Sequence, residues 1–83
     1  MRLLYFAWVR EAIGVGEEAA AVPDDVLTVA DLVDWLAAGS DRHAAAFADR
    51  SRLRAAIDGA FVAMDAPIAG AQEIAIFPPV TGG

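Results

Sequence analysis

Residues 28–39 read TVADLVDWLAAG, and this stretch limits the possible folds more than any other. Val29, Leu32, Val33 and Leu36 recur at i, i+3, i+4 and i+7, a spacing that stacks them on one face of a helix. Thr28 stands where an N-cap hydroxyl accepts a backbone N–H, and Asp31, three residues on, completes a variant of the capping box. Gly39 reads as the C-terminal cap. Such a helix must bury its stripe, and the flanking segments supply strands to bury it against. RLLYFAWV, from Arg2 to Val9, reads as a strand; REAIGVGE is a short helical turn or loop punctuated by Gly14 and Gly16; EEAAAVP is a weaker strand ended by Pro23. Ser40 can cap a second short helix from about Asp41 to Ala48. RLRAAID and AFVAM are two strands joined through Asp58-Gly59, a two-residue hairpin signal, and EIAIF is the last strand. The order β-β-α-(α)-β-β-β predicts an α+β fold in which a mixed five-stranded sheet packs on one main helix, the β-grasp arrangement. Eighty-three residues suffice for a single domain, 1–83, and residues 78–83 are expected to form a flexible C-terminal tail.

Successive strand side chains point to opposite faces, so period two sorts the sheet. In the first strand Leu3, Tyr5, Ala7 and Val9 share one face, and Arg2, Leu4, Phe6, Trp8 and Arg10 share the other, which the two arginines mark as outer. Leu53, Ala55, Ile57, Ile74, Ile76, Val62 and Met64 turn inward; Arg54, Ala56, Asp58, Glu73, Ala75, Phe77 and Phe61 turn outward. The outer face thereby gathers Leu4, Phe6, Trp8, Phe61 and Phe77. A concentration of large apolar groups on a face without a helix reads as a partner surface for Phe6, Phe61 and Phe77, while Trp8 reads equally as a partner contact or as core covered by the second helix or a loop.

The side chains offer little chemistry. There is no Cys, so thiolate nucleophiles, disulfides and thiolate metal sites are excluded, and no metal site is expected. His43 is alone in an Ala-rich segment and reads as a surface or packing residue rather than a base or ligand. Asp24-Asp25 reads as a turn ahead of the helix, and the GVG at Gly14 to Gly16 is too short for a phosphate loop. Six Arg against twelve Asp and Glu give a formal charge of −6, which argues against nucleic acid or an anionic membrane as partner. No apolar stretch is long enough to span a bilayer, and a cytoplasmic protein is expected.

The ending FPPVTGG places chemistry at the main-chain terminus. Pro78 and Pro79 cannot donate ladder hydrogen bonds, so they end the last strand and send the chain away from the sheet. Gly82 and Gly83 carry no Cβ and suit a narrow channel in another protein. The reactive group so presented is the Gly83 carboxylate, which ATP can convert to an acyl-adenylate.

FPPVTGG at the C-terminus, YFAWVRE near the N-terminus and the LTVADL helix start together resemble the small, sulfur-carrier subunit of molybdopterin synthase, the MoaD-type ubiquitin-like family. The resemblance runs essentially end to end and includes SDR at Ser40 to Arg42. It implies a ubiquitin-like β-grasp fold and a terminal glycine that is adenylated by a ubiquitin-activating-like adenylyltransferase and sulfurated to a thiocarboxylate. It also implies a large synthase subunit that holds the tail while sulfur passes to a cyclic pyranopterin phosphate, a heterotetramer in which this chain is the non-catalytic half. It further implies that no cofactor is bound, that ATP is used by the activating enzyme and that the sulfur is carried covalently at the C-terminus. The matching positions are Gly82 and Gly83 for the tail, Phe6, Phe61 and Phe77 for the contact surface, Arg10 in the VRE segment, and Pro78 and Pro79 at the tail's root. The chain departs from the family pattern at Ala71-Gln72-Glu73, where Gly-Asp-Glu is usual, and at Asp58, where Asn is common. The alternatives are a sulfur carrier for thiamine or cysteine synthesis, a ubiquitin-like modifier of other proteins, and a plain interaction domain with an inert tail.

Overall fold

The computed structural model describes residues 1–80. Along the chain run β1 (Arg2–Tyr5), α1 (Ala7–Ile13), β2 (Glu17–Ala19), α2 (Val29–Gly39), α3 (Asp41–Ala46), a 3₁₀ turn (Arg50–Arg52), β3 (Arg54–Ile57), β4 (Ala60–Val62) and β5 (Glu73–Phe77). The strands form one mixed sheet in the order β2-β1-β5-β3-β4, with β1 and β5 parallel and every other neighbouring pair antiparallel. This is the mixed five-stranded sheet that the alternation predicts.

The register aligns the covered face. Leu3 pairs with Ile74 and Tyr5 with Ile76 across the parallel ladder, while Ala55 lies opposite Ile76 on β3. Each is at most 1% exposed, and α2 lays fully buried Val29, Leu32 and Val33 against them, with Leu36 at 7%. Burial of side chains of this size contributes about 1.5–3 kcal/mol apiece relative to exposure. Phe47 and Leu53 complete the same cluster.

The start of α2 is as its sequence dictates: Asp31 N donates to Thr28 Oγ1 at 3.1 Å, and Asp31 Oδ2 accepts from Thr28 N at 3.3 Å. Two further amides of its first turn, on Val29 and Ala30, donate to the carbonyls of Ala66 and Met64. The loop after β4 thus satisfies groups that a helix leaves unpaired. The end of α2 differs from expectation. Gly39 is the last helical residue, and Ser40 in extended conformation (φ −161°, ψ 137°) breaks the helix. The same residue caps α3, accepting from His43 N, so two helices share one junction and no left-handed glycine is needed. The second helix ends at Ala46, two residues earlier than predicted.

The larger correction lies at the N-terminus. The first strand stops at Tyr5, and residues expected to continue it form α1. Val9 and Ile13, one helical turn apart, are its buried positions, and Gly14 at φ 97° closes it by donating its N–H to the Arg10 carbonyl. The β propensity of the aromatic run predicted a strand, but burial of Val9 and Ile13 in the core decides the conformation. Ala7 consequently lies exposed at φ 53° rather than on the covered face, and Trp8 and Arg10 leave the strand alternation. Helices α1 and α3 accompany α2, so more than one helix packs with the sheet.

The Asp58-Gly59 hairpin forms with both residues at positive φ, 49° and 86°. The Asp58 carboxylate also accepts from Glu73 N at 2.9 Å and Gln72 N at 3.1 Å, fastening this turn to the start of β5. The departure from Asn at this position therefore keeps a side-chain acceptor.

Candidate functional site

One row of residues crosses the open face of the sheet. Leu4 on β1 pairs with Ala75 on β5, Ala75 with Ala56 on β3, and Ala56 with Phe61 on β4. The two middle residues are the smallest with a Cβ and the flanking two are large, so the row forms a trough with an alanine floor. Phe77, one alternation further along β5, stands beside Phe61 with ring centroids 5.6 Å apart, tilted by 44°. Phe6 reaches the trough in extended conformation from the end of β1, Trp8 enters from α1, and Pro78, Pro79 and Val80 close one end. The resulting groove has a volume of about 960 Å³. Phe61 is 79% exposed, Val80 76% and Phe6 50%, an apolar surface that nothing in the chain covers among the described residues.

Among the described residues the groove is lined by one cation, Arg52, and one carboxylate, Glu73. Arg52, from the 3₁₀ turn, places its guanidinium 5.0 Å from the centroid of a Trp8 ring. Nearby Asp49 accepts from the Ser51 hydroxyl at 2.5 Å and from Ser51 N at 3.1 Å. The hydroxyl contact chiefly holds its carboxyl below the usual range, and the charge of Arg52 adds to the effect.

Phe6, Phe61, Phe77, Pro78 and Pro79 are brought together as the sequence predicts, though Phe6 and Trp8 arrive by a different backbone path. Arg10 is not. Two residues beyond Trp8 on α1, it lies about 200° around the helix, and its side chain runs beside Gly16, where a Cβ would stand 3.2 Å from Arg10 Nε. Gly82 and Gly83 lie outside the described residues. The floor residues Ala56 and Ala75 already face outward by alternation, yet apolarity alone did not single them out. Arg52 had no local signal, because its contact with Trp8 joins segments far apart in sequence.

A second convergence of polar groups sits on the covered side. Tyr5 donates its hydroxyl to Glu18 Oε2 at 2.8 Å, and His43 Nε2 donates to the same oxygen at 2.7 Å. The rings of Tyr5, His43 and Phe47 meet edge to face or tilted at 5.9–6.4 Å. Burial first, and the Glu18 bond second, push the Tyr5 hydroxyl well above its ordinary pKa. These contacts tie β1, β2 and α3 together, and His43 is a packing residue, one of the two roles its sequence context leaves open. Among the described residues no group of three or more His, Cys, Asp or Glu is placed to hold a metal ion, and no helix is long and apolar enough to cross a membrane.

Comparison with known proteins places this geometry. The model of the ThiS family matches residues 3–83. The chain is 43% identical over 83 residues to the molybdopterin synthase sulfur carrier subunit of Escherichia coli (strain K12), covering all of this chain and 99% of the relative. It is 36% identical, with the same coverage, to the protein of that name from Haemophilus influenzae. Among solved structures, SAMP1 from Haloferax volcanii aligns with a TM-score of 0.71 at 28% identity, covering 100% of this chain and 98% of that one. A putative molybdopterin converting factor, subunit 1, from Pyrococcus furiosus aligns with a TM-score of 0.72 at 27% identity, covering 95% of each. The fold is the ubiquitin-like β-grasp.

Proposed function

The chain belongs to the ThiS family, and we propose that it is the sulfur carrier subunit of a molybdopterin synthase, working through its own C-terminus in the cytoplasm. The observation that carries this reading is the course of the last strand: Phe77, Pro78, Pro79 and Val80 line the apolar groove and lead directly into the terminal Thr-Gly-Gly. A partner seated on the groove is therefore adjacent to the root of the tail. The relatives' shared name over the full length supports the same assignment.

The chemistry follows from the terminal group. Gly83 carboxylate attacks the α-phosphorus of ATP on a ubiquitin-activating-like enzyme, forming the acyl-adenylate and releasing pyrophosphate. A sulfur nucleophile delivered by a donor then displaces AMP, leaving a thiocarboxylate. In the active site of the large synthase subunit that sulfur passes to a cyclic pyranopterin phosphate, and hydrolysis returns the carboxylate. The chain contributes no catalytic side chain and no resident cofactor; Phe6, Phe61 and Phe77 dock it, Pro78 and Pro79 direct the tail, and Gly82 lets it enter a narrow channel. As a single domain with residues 78–83 as its tail, it separates folding from chemistry.

Incubation of intact and Gly83-deleted protein with the activating enzyme, ATP and a sulfur donor, followed by mass spectrometry, tests the assignment. Oxygen is replaced by sulfur at Gly83 in the intact protein, and the deletion, with an unchanged melting temperature, gains none. Shifting the terminus by one residue moves the reacting carbonyl by up to about 3.3–3.6 Å, more than reactive geometry tolerates. Failure of the intact chain to gain sulfur overturns the reading. A second reading has support from one neighbour, described as a small archaeal modifier protein: attachment of Gly83 to lysines of other proteins. Isopeptide-linked conjugates in place of the thiocarboxylate favour it.

A further inference from the structure

The six arginines find different surroundings. Arg2 pairs with Glu17 at 2.7 Å and Arg50 with Asp34 at 3.0 Å, while Arg54 donates to the carbonyls of Ser51 and Leu53. Arg10 and Arg42 lie beside Gly16 and Gly14. Arg52 alone lines the groove. Among the described residues it donates no hydrogen bond and has no carboxylate within 4.0 Å, although the chain carries twelve acidic side chains to six arginines. The nearby acid, Asp49, turns Oδ1 to Ser51 N and Oγ instead.

The contact with Trp8, 5.0 Å from the guanidinium carbon to the ring centroid, uses none of the Arg52 N–H groups in a hydrogen bond, so they stay available to another acceptor. The planar fork is already held in place, so little freedom is lost when it binds a carboxylate in bidentate fashion. A partner seated over Phe6, Trp8 and Phe77 also removes Arg52 from water; Asp49 and the groove's own carboxylate, Glu73, stand beyond 4.0 Å of it, so its N–H groups lose their water hydrogen bonds unless the partner replaces them. The occupant must therefore bring an acceptor. On a protein of net charge −6, this rim is where an acidic group can approach an attractive charge at the groove.

We propose that Arg52, set over the Trp8 ring, is the specificity point of this face. The docking partner seats an apolar side chain on the Ala56–Ala75 floor and sets an Asp or Glu carboxylate against the Arg52 guanidinium. The proposal rests on the reading that the groove receives the large synthase subunit, and it adds the chemistry that subunit must present. Titration calorimetry of the full chain with purified large subunit, at low and high salt, tests it, with Arg52→Gln, Arg52→Lys and Phe61→Asp alongside. Arg52→Gln weakens binding on the order of tenfold to a hundredfold, the range for a hydrogen bond to a charged group. It also flattens the salt dependence, and Arg52→Lys restores affinity only in part. Circular dichroism of Arg52→Gln matches the native chain. Native affinity and salt dependence in Arg52→Gln, with binding abolished by Phe61→Asp, overturn the carboxylate contact alone and leave the docking reading standing. Absence of binding by the native chain overturns both. Sedimentation showing that the free chain pairs with itself through Phe61 assigns the groove to a second copy and overturns the proposal.

Discussion

On one face of the sheet Leu3, Tyr5, Ala55, Ile74 and Ile76 lie with at most 1% of their surface exposed. On the other face Leu4, Ala56, Ala75 and Phe77, one residue along the same strands, and Phe61 on β4 point away from that core, and Phe61 keeps 79% of its surface in water. Apolar content does not separate the faces. What separates them is the helical stripe laid over one, and the absence of any element of the described chain over the other. A covered apolar face stabilises the fold; an open one costs solubility and, on the proposed reading, serves association. Substitutions on the two faces should therefore affect different measurements.

The largest effect is expected in the covered layer. Leu36→Ala removes a buried member of the α2 stripe and should lower stability by about 2–5 kcal/mol, read by chemical denaturation. A loss under about 0.5 kcal/mol, the range of surface positions, would mean that α2 does not supply the cover and the contrast between faces is false.

A smaller effect sharpens the contrast through pH. Tyr5 is buried and donates to Glu18, so the fold favours its protonated form and raises its pKa. As pH rises the unfolded chain releases this proton first. Stability is thus fully present below tyrosine's ordinary value of about 10 and declines above it by about 1.4 kcal/mol per pH unit. The chain has one Tyr, no Lys and no Cys, which leaves this range nearly free of other titrations. Denaturation midpoints between neutral pH and the alkaline range should fall in the native protein and hold level in Tyr5→Phe. A flat native profile would remove the burial of the hydroxyl from the account of the covered face.

How far these faces were legible depends on the range of the signal. The α2 stripe, its Thr28–Asp31 cap and the Asp58-Gly59 turn rest on neighbours a few residues apart, and the sequence spacing is the physical cause. Alternation in β3, β4 and β5 assigned the faces for the same reason. The switch at Phe6 is hidden from local sequence because aromatic residues favour strands, while Val9 and Ile13 gain more from the core as a helix. Gly14, a left-handed cap five residues after Val9, was the available sign. Phe6 and Trp8 still belong to the groove, since the chain bends toward the same edge. The Arg52–Trp8 contact and the Tyr5–Glu18–His43 cluster join distant segments, and no local period announces them.

The smallest effect on stability is expected on the open face, where it tests the comparison most directly. Phe61 packs beside Phe77 but remains largely exposed, so Phe61→Asp places a carboxylate where water can solvate it. Stability should change by no more than about 0.5 kcal/mol, as for surface substitutions. The same carboxylate under a docked partner loses that water and finds apolar groups, and an unpaired buried charge is costly. Affinity for the large subunit should therefore collapse while the denaturation midpoint stays in place. Both quantities are measurable on one preparation, by titration calorimetry and by chemical denaturation. A variant that unfolds would assign Phe61 to the core. One that folds and binds as before would leave the groove without a partner, and the open face would need another explanation.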